Sequence, residues 1–252
     1  MFSLLKNQDR AFIVYQMGKV GSTTFKTSLE AVYGEKRVLH THKHEEANAY
    51  IERWSKSFDE VIVITGFREP VSRCISAYFQ CITTKTNPWH VGKQEEVVNK
   101  SIDWLINDYN TKAVPHIHNV VGPWLGNYER VTNRRLTEFS RAKGCLKASL
   151  NNVYYYIYKL ETLPDFHKGM ASDQYLREIK IANANESKEK WYAKIYRDFK
   201  RSYQISSTNY DELYGNIDFV RFLYDEQEIK ELTKSFVVGS DPSEKDHKRE
   251  IA

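Results

Sequence analysis

The sequence predicts an α/β protein: a parallel β-sheet flanked by helices, with a mostly helical C-terminal half. Three observations carry that expectation. Over residues 11–83 short apolar runs alternate with segments of helical period, the pattern of βαβ units. A turn rich in glycine and hydroxyl residues, "MGKVGSTT", follows the first apolar run directly. The third apolar run, "VIVIT", lacks polar alternation, as a strand buried on both faces requires.

Residues 11–15 are the first expected strand. A helix over 22–32 follows, with Phe25, Leu29 and Val32 on one face and Gly34 as its stop. A second strand over 37–41 leads through "HTHKHEE" into a helix reaching Trp54, and the third strand covers 61–65. Pro70 opens a helix whose apolar stripe is Val71, Cys74, Ile75, Tyr78, Phe79 and Ile82, leaving Arg73, Ser76 and Gln80 on the other face. Beyond it, 95–109 reads as a helix. The Pro-, Gly-, Trp- and His-containing stretch 111–132 reads as irregular and substrate-facing, and 153–158 as a further strand. Amphipathic helices are expected over 187–201 and 225–236, with a charged, mobile tail from Gly239. The whole is expected to be one domain, with core units over 11–83 and an acceptor-side helical region over 90–238.

A chain of 252 residues that is 41% hydrophobic can bury a substantial core. Its net charge of +4 is modest and dispersed, which suits anionic small ligands and gives no support to nucleic-acid binding. Cys74, Cys81 and Cys145 show no C-x-x-C spacing, so neither a disulfide framework nor a zinc site is indicated, and reduced thiols in the cytoplasm are expected. No apolar run approaches the ~20 residues that span a bilayer, so no integral membrane association is expected.

The turn after the first strand has the make-up of an anion cradle. Gly18 and Gly21 let the backbone turn tightly, and the amides of Gly21 to Thr24 lie at the positive end of the next helix. Lys19 adds a mobile charge, and Ser22, Thr23 and Thr24 add hydroxyl donors. It is not the nucleotide loop G-x-x-x-x-G-K-[ST], since Gly18-Lys19 precedes Gly21-Ser22. An ordinary strand-to-helix turn with a capped helix is the other reading. Arg68, leaving the third strand, and Ser76, two helical turns on, could clamp a second phosphate; solvated helix-face residues are the alternative.

"GKVGSTT" resembles the 5′-phosphosulfate loop of the sulfotransferases, and "REPVSRCISAY" is similar to their 3′-phosphate motif R-[DE]-P-x-x-R-x-x-S-x-Y. "YIYKLETL" resembles the Y-E-D-L strand end of many members. "ESKEKWYAKIYRDFK" and "LYDEQEIKEL" resemble the C-terminal helices of a sulfotransferase-like group of bacterial capsular polysaccharide synthesis proteins. The resemblance implies a P-loop-like fold and the donor 3′-phosphoadenosine-5′-phosphosulfate (PAPS), with 3′-phosphoadenosine-5′-phosphate (PAP) as product and no metal required. The acceptor would be a hydroxyl, on a saccharide or another small molecule. Lys19 with Val20, Gly21, Ser22, Thr23 and Thr24 would face the phosphosulfate, and Arg68 with Ser76 the 3′-phosphate.

Sulfuryl transfer also needs a base for the acceptor's proton. His40, His42 and His44, with Glu45 and Glu46, stand where the second strand should end beside the loop. The H-x-H piece is similar to the base-bearing segment of the uronyl and heparan 2-O-sulfotransferases, which makes His42 the implied base, with His40 beside it. A metal site or a functionless solvated loop are the other readings of this cluster, and His116 with His118 forms a second H-x-H. Two further functions fit anion loops: a nucleotide kinase or other NTPase, which would need a magnesium-binding carboxylate after a strand, and a non-catalytic nucleotide- or polysaccharide-binding module.

Overall fold

The computed structural model describes residues 9–180, 190–215 and 218–236. The strands are β1 (Arg10–Tyr15), β2 (Val38–Thr41), β3 (Glu60–Phe67), β4 (Ser140–Ala142), β5 (Cys145–Leu150) and β6 (Val153–Lys159). The helices are α1 (Ser22–Tyr33), α2 (His44–Trp54), α3 (Pro70–Cys81), α4 (Gln94–Val98), α5 (Ile102–Lys112), α6 (Ile117–Thr132), α7 (Leu163–Met170) and α8 (Ala193–Ser202). The short α9 (Ser207–Tyr210), α10 (Asp218–Leu223) and α11 (Glu226–Thr233) complete them. No described helix is long and apolar enough to cross a membrane.

The chain is α/β, with one six-stranded sheet in the order β2-β1-β3-β6-β5-β4. β2, β1, β3 and β6 are mutually parallel, but β5 and β4 run antiparallel, so the sheet is mixed where an all-parallel one was expected. The physical reason lies in two turns. Lys143-Gly144 joins β4 to β5 and Asn151-Asn152 joins β5 to β6, and a two-residue connection can only link antiparallel neighbours. Gly144 and Asn151 take the positive φ that such turns need. These strands also place sheet structure in the half expected to be mostly helical.

The described chain divides into two compact units, one formed by Met1–Arg68 and Pro123–Glu186, the other by Glu69–Gly122 and Ser187–Ala252. The first holds the whole sheet. All eight residues of β3 are buried, as the unbroken apolar run dictates. On one sheet face Phe12, Val14, Ile62, Ile64, Tyr156 and Tyr158 pack under Phe25 and Leu29 of α1 and Phe166 and Met170 of α7. The ring of Tyr158 lies 4.7 Å from Phe25 and 5.3 Å from Phe166. Val32, expected on the α1 stripe, is 45% exposed. Tyr33 takes its place by packing on Phe12 at 4.4 Å, because the stripe drifts around the helix by its last turn.

On the opposite face Tyr15 stacks with Trp124 and Tyr128 of α6, at 5.6 and 6.3 Å between ring centroids. The stretch expected to be irregular is this helix, with Pro123 inside it. Trp124, Tyr128 and Val131 are all buried at i, i+4 and i+7, so helical period outweighed the Pro and Gly signals.

In the second unit the α3 stripe is buried as expected, with Ile82 also buried just past the helix end. Tyr78 packs on Tyr109 of α5 at 5.4 Å and donates its hydroxyl to Asp108 at 2.8 Å, while Phe79 packs on Phe199 of α8 at 5.2 Å. The single helix expected over 95–109 is two, because Ser101 caps α5 by accepting from the Trp104 amide at 3.2 Å. Of the helix expected over 187–201, α8 is the described part, and 181–189 lie outside the described residues. The helix expected over 225–236 is α11, capped by Asp225. The tail from Gly239 also lies outside them.

The β5–β6 turn is tied to the end of α2. The Asn152 amide nitrogen donates to the Ser55 and Phe58 carbonyls, both at 3.0 Å. Asn152→Ala leaves two part-buried carbonyls without this donor and should lower stability by about 1–3 kcal/mol, read as a fall in the urea midpoint at unchanged m-value.

Candidate functional site

β1 passes the chain to β2 on one side, while β3 pairs with β1 on the other side and with β6 beyond. The neighbouring strands β1 and β3 therefore lie where the strand order reverses, and the crevice outside their carboxyl ends is where open α/β sheets bind ligands. Two loops border it: residues 16–21 after β1, and Arg68 after β3.

The first loop is shaped by three consecutive features of its backbone. Gly18, Lys19 and Gly21 have φ of 81°, 65° and 81°, all in the left-handed region. For Lys19, which carries a Cβ, that conformation costs roughly 1–3 kcal/mol, the kind of local strain that clusters at ligand sites. Gly21 is the N-cap of α1, which has no side-chain cap and no acidic residue in its first turn. Its first turn thus supplies no acidic residue of its own to the positive end. Lys19 is half-buried, Ser22 and Thr24 are buried, and Thr23 is exposed.

Beneath the loop is a set of buried polar contacts that sequence reasoning missed. The Tyr158 hydroxyl donates to the Val20 carbonyl at 2.5 Å, and the Gln16 side chain bonds the Tyr158 hydroxyl at 3.4 Å and the Gly66 amide at 3.1 Å. Gly66 is required there, since a Cβ would stand 2.5 Å from the Tyr158 hydroxyl and 2.8 Å from the Gln16 carbonyl oxygen. The available signal was Gly66 at the end of an otherwise apolar strand, which marks a close approach.

The histidine cluster starts from the same strand ends. Thr41 closes β2 opposite Tyr15, and the Gln16 amide donates to its carbonyl at 3.1 Å. The Thr41 hydroxyl bonds Glu46 at 2.5 Å and accepts from the Lys43 amide at 3.0 Å, which fixes the turn. His42 therefore stands against the anion loop, with Nδ1 bonded to the Gln16 carbonyl. A carbonyl only accepts, so Nδ1 carries the proton and Nε2 of the neutral ring is left with its lone pair. His42 is exposed.

His40 lies two residues back with its ring 5.1 Å from that of His42, edge to face. Its Nε2 is buried without a hydrogen-bond partner among the described residues. Burial holds its pKa below the ordinary histidine value, and the neighbouring His42 and Lys26 push the same way against Glu30. His44 is bonded instead to Glu45 at 3.3 Å. The three histidines thus have three different environments, and among the described residues no group of three His, Cys, Asp or Glu is arranged to hold a metal ion.

Arg68 is half-buried at the end of β3 and makes no ion pair among the described residues. Ser76, also half-buried, belongs to α3 and the second unit, so the two residues of the second motif fall in different units. Between them Glu69 has a role the sequence did not reveal. It is buried and caps α3 by accepting from the Val71 and Ser72 amides at 2.6 and 2.7 Å, and it accepts the Tyr214 hydroxyl as well. The carboxylate following β3 is consumed by this cap. In the second unit His116 is exposed, with its ring 6.4 Å from Trp89, and the side chain of His118 lies outside the described residues.

A cavity of about 680 Å³ lies elsewhere, along β4, β5 and β6 beside α7. Its charged residues are largely spent on each other. Arg134 pairs with Glu138 at 3.0 Å, and Asp173 takes Lys147 and, at 3.0 Å, the Tyr156 hydroxyl. None of the candidate residues lines it, and the strand-end crevice, which the candidate residues border, is the better candidate site.

No family model matches the chain, and neither does any curated protein or solved structure.

His40 supplies a pH test. Its imidazole binds a proton less readily folded than unfolded, so its effect is nil above ~6.5 and stability falls as pH drops through the lowered folded value. Between pH 7 and 5 the urea midpoint of the wild type should fall more steeply than that of His40→Gln; parallel curves would place the acid sensitivity on another group.

Proposed function

We propose that the chain is a PAPS-dependent sulfotransferase that passes a sulfuryl group to a hydroxyl, with a saccharide as the favoured acceptor. The observation that carries this reading is the loop after β1: a lysine held in a left-handed turn between two glycines, at a helix start without a side-chain cap, bordering the carboxyl ends of β1 and β3. A tetrahedral oxyanion suits that cradle. The resemblance of both loops to the sulfotransferase motifs supports assigning a phosphosulfate to the first and a 3′-phosphate to Arg68, within a P-loop-like core. Three free cysteines suit the reducing cytoplasm.

In the proposed reaction the acceptor oxygen attacks sulfur as the bond from sulfur to the bridging phosphate oxygen breaks. The acceptor's proton goes to Nε2 of His42, and the electron pair of the broken bond stays on departing PAP. Lys19 offsets the charge that develops on the leaving oxygen, and the helix amides stabilise it without moving. His40, kept neutral by its burial, avoids adding a second positive charge beside His42 as that ring takes the proton.

The kinase reading is disfavoured because Glu69 is engaged as a helix cap. Thermal shift separates the possibilities: PAP without magnesium should stabilise the protein, whereas stabilisation by ATP with magnesium alone would support a kinase. A binding module would respond to PAP yet transfer no label from radioactive PAPS to any acceptor.

Lys19→Ala should reduce transfer by about a hundredfold or more with the fold intact, since the leaving oxygen loses its charge partner. Near-wild-type turnover would remove Lys19 from the mechanism. His42→Ala should lower turnover by about 10²–10⁴ at nearly constant PAP affinity, because a general base acts in the transition state. Retention of rate, with its loss in His40→Ala or His116→Ala, would move the base to that residue.

A further inference from the structure

We propose that Gln16 and Tyr158 are the positioning pair of the anion loop, and that the single hydroxyl proton of Tyr158 is what holds the loop at its working height. This rests on the loop being an anion cradle, as proposed above, but not on sulfuryl transfer itself.

The direction of every hydrogen bond in the chain is forced. The Gly66 amide can only donate, so the Gln16 carbonyl oxygen faces it at 3.1 Å. That leaves the Gln16 NH2 group facing Tyr158, where it donates to the phenol oxygen. Having accepted this bond, the phenol gives its one proton to the Val20 carbonyl, which can only accept. The result is a one-way chain from β3 through Gln16 and β6 to the loop.

Several observations show that the chain is built in rather than incidental. Gln16, Tyr158 and Val20 are all fully buried, where each unmade bond costs its full desolvation. Gly66 and Tyr158 are register partners on neighbouring strands, and the phenol occupies the space a side chain at 66 would fill. The tethered residue is the one between Lys19 and Gly21, whose left-handed backbone needs an external constraint to persist. The same Gln16 bonds Thr41 and His42 through its main chain. One buried glutamine therefore fixes the anion loop through its side chain and the candidate base through its carbonyl.

The proton count makes the proposal testable. Tyr158→Phe removes the tether. Gln16→Glu at pH 8 places a carboxylate that only accepts beside the phenol, so it competes with Val20 for the same proton and should release the loop by a different route. Each single variant should weaken binding of pyrophosphate and of PAP roughly five- to tenfold, the loss of about one neutral hydrogen bond, measured by calorimetry. The double variant should bind about as weakly as Tyr158→Phe alone, because both changes act through one proton. Amide hydrogen exchange read without ligand should quicken at residues 18–24 in both single variants and stay unchanged in β1 and β3.

Wild-type exchange and wild-type pyrophosphate affinity in Tyr158→Phe would overturn the proposal, and so would fully additive losses in the double variant. If the wild type binds pyrophosphate but not PAP, the donor reading fails and the positioning pair is still decided by pyrophosphate affinity and exchange. If it binds neither, the loop is no anion cradle and both proposals fall.

Discussion

The parallel pairing of β1 with β3 is the constraint from which the site follows. β3 is buried through its length and β1 from Ala11 on, which fixes them in the centre of the sheet. Their carboxyl ends are then held side by side, and the chain leaves them in opposite directions, to β2 from one and away from β1 from the other. A gap must open where the two connections diverge. The fold thus places a crevice at that edge before any particular residue is chosen.

What the residues add is rigidity at one wall and exposure at the other. The anion loop is tied from beneath by buried contacts to Tyr158 and Gln16, and its lysine is held in a conformation it would not adopt unaided. An electrostatic site works best when its dipoles need not reorganise as charge develops, and these ties supply that condition. His42 by contrast is exposed, with only its Nδ1 side anchored. One ring nitrogen sets the tautomer while the other meets whatever arrives from solution.

Much of this was legible in the sequence, and the failures have identifiable causes. The first three strands, the helices between them and the buried face of α3 follow from local apolar period, which is a property of neighbouring residues. β4 and β5 were missed because β4 is three residues long and the alternating "LKASL" is built from Lys, Ala and Ser rather than β-branched or aromatic residues, and the decisive signals were the two-residue turns "KG" and "NN". α6 was obscured by Pro123 and two glycines although Trp124, Tyr128 and Val131 keep helical spacing. At the candidate site, residue types and spacing singled out the loop residues and His42, and the structure places them at neighbouring strand ends. Gln16, Gly66 and Tyr158 were not, since their partnership joins positions 50 and 142 residues apart and exists only once three strands are paired.

The divided histidine cluster shows why a spacing alone underdetermines chemistry. H-x-H-x-H places all three rings on one side of an extended chain, and from the sequence any of them could accept a proton or hold a metal. The turn after Thr41 breaks that equivalence. His44 has entered α2 and bonds Glu45, and His40 stays within β2, half-buried, where its charged form is disfavoured. Only His42 combines a fixed tautomer, a solvent-facing nitrogen and a hydrogen bond to the residue that begins the anion loop. For the proposed reaction, which brings an anionic donor to a neutral hydroxyl, the meeting of the tied loop and the exposed His42 is the place the proposal assigns to both.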